Sequence, residues 1–223
     1  MTSLITELNT MHKTLKYQKD AVDKLERQVN ELLDRSGDKT CIFKAPTGSG
    51  KTIMMAEFLS RLVEDRRDGR TFSFIWAAPR KLHNQSKEKL ENYYKDTRSL
   101  QCSNIEDLAD KRIGENEILF LNWESINKKD NVFVRENEND FNLTTIVENT
   151  LEDGREIILI IDESHHTASA ENTRGLIDIM KPKITIEVSA TPHMTSDYIV
   201  VVEFEDVKEE GMIKKEVAVN PAL

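Results

Sequence analysis

The run Ala45-Pro46-Thr47-Gly48-Ser49-Gly50-Lys51-Thr52 sets two glycines, a lysine and a hydroxyl between an apolar segment and a helical pattern. Gly48 and Gly50 lack a Cβ, so the backbone can curl and aim successive N–H groups at phosphate oxygens, while the helix N-terminus beyond adds its dipole. In that setting Thr47, Gly48, Ser49 and Gly50 cradle phosphates. Lys51 reaches the β- and γ-phosphates of a nucleoside triphosphate, and the Thr52 hydroxyl is placed to ligate Mg²⁺. The general pattern opens with glycine, and Ala45 stands in that place.

A second candidate is Asp162-Glu163, which follows the apolar run 156–161. Carboxylates at the C-terminal end of a buried parallel strand lie where doubly wound sheets bind ligands, beside the phosphate loop if the two strands are neighbours. Asp162 then holds Mg²⁺, and Glu163 orients and deprotonates the water that attacks the γ-phosphate. Adjacent carboxylates repel, and a bound divalent ion relieves the repulsion. A third candidate is Ser189-Ala190-Thr191-Pro192 after the apolar run 183–188; its hydroxyls can bond to the acidic pair and sense the phosphate. Taken alone it reads as a Ser/Thr turn before proline. His165 and His166 lack a third ligand and the helical spacing of a metal site, so His165 reads as a hydrogen-bonding group across the cleft.

The elements that must hold these groups are legible in the apolar periodicity. Val22, Leu25, Val29 and Leu32 step by three and four, which predicts an amphipathic helix over 17–33. A short coiled coil is the competing reading, but the pattern stops at Ser36-Gly37-Asp38. Nearly continuous apolar runs predict strands at 40–44, 72–77, 117–122, 156–161 and 183–188, with a weak one near 99–101 and a last one over 198–205. Helical patterns at 51–64, 81–94, 143–151 and 171–180 separate them, so the chain is expected to be α/β with a parallel sheet and crossover helices.

Composition bounds the class. The 223 residues suffice for one large domain, and no stretch approaches the about 20 apolar residues of a membrane span. Met1 to Met11 lacks the features of a secretory signal, and Cys41 and Cys102 read as two reduced thiols, so a cytosolic protein is expected. The net charge of −9 argues against coating nucleic acid through bulk positive charge, though it leaves room for a narrow binding track. The segment 128–140, rich in Asn, Asp and Glu, reads as a solvated loop or insertion.

Taken in order, Tyr17-Gln18, the phosphate loop, Ala78-Pro79-Arg80, Asp162-Glu163-Ser164-His165 and Ser189-Ala190-Thr191-Pro192 resemble the superfamily 2 helicases and translocases of the DEAD/DEAH type. Asn122-Trp123, the Asp-Glu-Ser-His-His run and Glu210-Gly211-Met212-Ile213-Lys214-Lys215 look like the restriction subunit of type III restriction enzymes, and the resemblance covers nearly all the chain. It implies a three-layer RecA-like P-loop domain, with a mainly parallel central sheet and helices on both faces. It implies an ATP- and Mg²⁺-dependent hydrolase driven by nucleic acid, chiefly double-stranded DNA, with a DNA methyltransferase subunit as a further partner. Residue by residue, Gln18 would read the adenine edge with Tyr17 packing on the base, and Arg80, Asn122 and Trp123 would line the nucleic-acid track. His165, Ser189 and Thr191 would couple hydrolysis to domain movement.

The implied organisation is a helical segment over 1–36, a first RecA-like domain over 37–200, and a final strand and linker start over 201–223 leading to a second RecA-like domain. The family completes its ATP site with arginines from that second domain, and here no Arg follows Arg174. An arginine finger contributes about 10³ to 10⁵ in rate, so this chain alone is expected to bind ATP and turn it over poorly. No carboxylate and lysine cluster reads as a nuclease centre. Two other classes share the loop: a small-molecule kinase, whose basic lid is hard to find in the acidic segment 131–142, and a non-catalytic nucleotide-binding module, for which Asp162-Glu163 would be surplus.

Overall fold

Runs of Ile, Leu, Val and Phe with few polar interruptions suit strands covered on both faces, and they make the inner five strands of the seven-stranded sheet of the computed structural model, with a short polar strand at one edge and a mostly exposed one at the other. The structure describes residues 14–64, 69–79, 81–122, 142–163 and 170–212. Along the chain come α1 (Lys16–Leu33), β1 (Lys39–Lys44), α2 (Lys51–Glu64), β2 (Phe72–Ala78), α3 (Leu82–Tyr94) and β3 (Gln101–Ser103). Two short 3₁₀ turns lead to β4 (Glu117–Asn122), α4 (Leu143–Glu152), β5 (Glu156–Asp162), α5 (Ala170–Met180), β6 (Ile184–Ser189), β7 (Tyr198–Val201) and α6 (Phe204–Glu209).

The strand order is β3-β4-β2-β5-β6-β1-β7. Every described pairing is parallel, which sharpens the expectation of a mainly parallel sheet. From β1 through β2 to β3 the chain travels toward one edge, and from β4 through β5 and β6 to β7 it travels toward the other. Because crossovers are right-handed, opposite directions of travel send the connections to opposite faces. Leu25 of α1, Phe58 of α2 and Leu90 of α3 accordingly share a core with Phe43, Phe74 and Trp76. Ile146 of α4 and Met180 of α5 pack with Ile75, Leu159 and Ile161 on the other face.

The helix expected over 17–33 is present, its competing reading falls, and two strand expectations change. The stripe Val22, Leu25, Val29 and Leu32 is buried in the chain's own core, so α1 is a layer of this domain and no coiled-coil strand. The weak strand lies at 101–103, because Ser99 is taken up by side-chain bonds to Ser60 and Thr97 while Gln101 begins the pairing with Glu117. The expected strand over 198–205 ends at Val201, and α6 follows. Glu205 and Asp206 in the first turn suit the positive end of a helix, and Val207 is its buried anchor. No described helix is long and apolar enough to cross a membrane.

Candidate functional site

β1 runs directly into the glycine-rich loop, and α2 starts where the loop ends. The Gly50 carbonyl accepts from Ile53 N and Met54 N, both at 3.0 Å, so the helix begins on a glycine in the left-handed region. Gly48 has φ +83° and Gly50 φ +85°. A Cβ on Gly48 would meet nothing within 4 Å, so open space lies in front of the loop. Ser49 Oγ is buried without a hydrogen-bond partner among the described residues. A buried hydroxyl without a protein partner in such a loop fits a phosphate ligand.

α1 grips the loop from behind. Tyr17 Oη donates to the Ser49 carbonyl at 2.7 Å, and Gln18 Nε2 donates to the same oxygen at 3.1 Å and to Tyr17 Oη at 3.3 Å. Gln18 Oε1 accepts from Leu15 N at 3.0 Å. Gln18, buried at 6% exposure, thus spends its amide on the loop and on the start of its own helix. A Cβ at Gly50 would lie 2.7 Å from Gln18 Nε2, so a side chain there would push the Gln18 amide aside, and the φ of +85° itself favours glycine. Beside Tyr17, a cleft of about 170 Å³ opens at the C-terminal end of β7, lined by Lys16, Asp20, Val202, Asp206 and Glu210 among others.

The strands bearing the phosphate loop and the acidic pair are not neighbours, since β6 lies between β1 and β5. The gap is closed by side-chain length: Lys51 Nζ sits 3.0 Å from Glu163 Oε1, with Lys51 only 9% exposed. Glu163 has φ +54°, a region that bulky residues enter at a cost of about 1–3 kcal/mol. Its N–H is held by the Val188 carbonyl of β6 at 2.9 Å. The backbone therefore turns at the strand end and points the carboxylate toward the loop.

Asp162 is buried at 7% exposure, and its Oδ2 accepts from Ser86 Oγ of α3 at 3.2 Å. Burial foremost, and then the Glu163 carboxylate, push its carboxyl up to about 6, against the opposing pull of Ser86, Lys51 and Trp76. Ser86 was not a sequence candidate. It shares the four-residue spacing of Leu90 and Tyr94, so a hydroxyl on the buried stripe of α3 was the available signal. Among the described residues no three His, Cys, Asp or Glu side chains group closely enough to hold a metal. The Thr52 hydroxyl and the Asp162 carboxylate are oxygen donors of the kind that Mg²⁺ takes together with phosphate and water.

At the end of β6 the Ser189 carbonyl accepts from Ala45 N at 3.2 Å, and Ser189 Oγ accepts from Thr191 N at 3.1 Å. The end of β6 thus touches the first residue of the phosphate loop. Ala78 pairs with Asn122, which brings the ends of β2 and β4 together on the same edge of the sheet as the acidic pair. Arg80, Trp123, Ser164, His165 and His166 lie outside the described residues, as do the expected loop over 128–140 and all but the last residue of the acidic segment 131–142.

The family model described as "Type III restriction enzyme, res subunit" matches residues 11–194. Among solved structures, a nuclease-deletion mutant of the Type ISP restriction-modification enzyme LlaGI, in complex with a DNA substrate mimic, matches with TM-score 0.55 at 15% identity. That match covers 92% of this chain and 21% of that one. The UvsW helicase from bacteriophage T4 matches with TM-score 0.46 at 13% identity, covering 92% and 59%. The ORC2 protein of Aeropyrum pernix matches with TM-score 0.43 at 14% identity, covering 82% and 43%. This chain therefore spans less than two thirds of each of these structures. No curated protein matches the sequence.

Proposed function

Because the chain belongs to the family of type III restriction enzyme res subunits, we propose that it is the ATP-binding motor domain of a nucleic-acid-dependent ATPase. The observation that carries this reading is the Lys51–Glu163 ion pair, which joins the phosphate loop to the acidic pair across an intervening strand. Lys51 exchanges Glu163 for the β- and γ-phosphates when nucleotide binds, and this frees the carboxylate to take a proton from water. The Ser49 hydroxyl and the loop amides would bind phosphate oxygens, and Thr52 and Asp162 would hold Mg²⁺, which would supply positive charge against those oxygens. With the phosphate end between β1 and β5, the base end extends toward β7, where Tyr17 and the neighbouring cleft receive adenine.

Arginines from a second RecA-like domain complete the site in this reading, and a strand of DNA runs past Arg80, Asn122 and Trp123. The solved LlaGI relative is in complex with a DNA substrate mimic, which supports DNA as the partner. Of the other classes, small-molecule phosphorylation has no support in the geometry or the comparisons. A non-catalytic module would have no use for a glutamate held at φ +54° against the loop lysine. The test is ADP release by the intact gene product with and without double-stranded DNA, for the native protein and for Lys51→Ala. DNA-stimulated hydrolysis abolished by the substitution is the expected result; hydrolysis that ignores DNA, or survives the loss of Lys51, sinks the proposal.

A further inference from the structure

Glu187 is a fully buried carboxylate in the middle of β6, at 0% exposure, between Ile42 of β1 and Ile161 of β5. A polar group so placed is expensive unless hydrogen bonds compensate it. Here its Oε1 accepts from His193 N at 2.8 Å and its Oε2 from Met194 N at 3.0 Å. Both donors lie in the connection to β7, just past Thr191-Pro192, and Met194 packs on the core that covers this face. The connection is thereby folded back beneath the sheet, and its far end is tied to β1, where Asp197 N donates to Thr40 O at 2.8 Å and Thr40 N to Asp197 Oδ2 at 2.9 Å.

Three consecutive residues of β6 thus hold three parts of the site. Ser189 O holds Ala45 at the root of the phosphate loop, Val188 O holds the turned backbone of Glu163, and the Glu187 side chain holds the segment after Thr191. We infer that Glu187 is a positioning residue: it clamps the 190–194 segment so that Ser189 and Thr191 keep one place relative to the nucleotide site, and a change there is passed on instead of being absorbed by a slack loop. The inference rests on the proposed ATPase reading for its kinetic consequence, and on geometry alone for the clamp.

The test compares native protein with Glu187→Gln and Glu187→Leu as the intact gene product. The first measurement is amide hydrogen exchange at His193 and Met194, which needs no activity. The clamp requires slow exchange at both amides in the native protein, fast exchange at both in Glu187→Leu and at one or both in Glu187→Gln, which keeps a single acceptor oxygen, while β6 itself stays protected; unchanged exchange in Glu187→Leu overturns it. The second is DNA-stimulated ATP hydrolysis. Stimulated kcat should fall roughly tenfold to a hundredfold, the loss typical of a misplacement of about 1 Å, with KM for ATP and melting temperature of Glu187→Gln held. A loss of kcat that merely follows a falling melting temperature, or native kinetics in Glu187→Gln, overturns the positioning role. If the native protein shows no DNA-stimulated hydrolysis, the functional reading fails, and the exchange result still decides the clamp.

Discussion

Lys51 Nζ and Glu163 Oε1 lie 3.0 Å apart although their strands are separated by a third. In the proposed mechanism phosphate displaces this carboxylate from the lysine, so the two residues should respond differently to substitution. Glu163→Gln removes the base and keeps the loop, and turnover should drop by roughly 10²–10⁴-fold with little change in ATP affinity. Lys51→Ala should weaken ATP binding itself. Titration calorimetry with single-turnover hydrolysis separates the two, and equal losses of affinity in both variants would contradict this division.

Asp162 sets a pH dependence for the metal-free protein. Its carboxyl is pushed to about 6 from the ordinary 3.8, so between those values the folded protein keeps a proton that the unfolded chain releases. Stability through this group is highest below the lower value and declines as pH rises through the upper one, by about 3 kcal/mol in all. In chelator, Asp162→Asn should flatten the decline and be the more stable protein at pH 7. Denaturant midpoints across pH check this, and a native profile that rises over the window refutes it.

Ser86 donates to Asp162 and so favours its ionised form. Ser86→Ala should raise the Asp162 value further and move the acid limb of the ATPase pH profile to higher pH. Excess Mg²⁺ should move it back. An unshifted limb would mean that Ser86 only packs.

Gly50→Ala places a Cβ 2.7 Å from Gln18 Nε2 on a backbone at φ +85°. The conformation alone costs about 1–2 kcal/mol. The clash should also displace Gln18 from the Ser49 carbonyl and weaken nucleotide binding. Truncating the neighbour in Gln18→Ala/Gly50→Ala should recover part of the stability, because it removes the clash and leaves the φ penalty. Additive losses in the double variant would show that the two residues do not meet.

Much of this molecule is legible in its residue order, because strand and helix follow from local periodicity and from turn chemistry. The apolar runs mark six of the seven strands to within about two residues, and the helix after Lys51 opens where the glycine turn requires. The loop and Asp162-Glu163 are recognisable for the same reason: each sits at the end of an apolar run, and strand ends are where parallel sheets expose chemistry. The order of strands is a different matter, since it depends on which crossovers pack and on contacts far apart in sequence. That order inserts β6 between β1 and β5, so Val188 holds Glu163 and Ser189 holds Ala45. The same packing turns Gln18 onto the loop, brings Ser86 to Asp162, and buries Glu187 under the chain that follows it. The spacing of Ser86 with Leu90 and Tyr94 marks a buried hydroxyl but not its partner, and no period names the other contacts, because each is made by residues that meet only once the sheet has assembled.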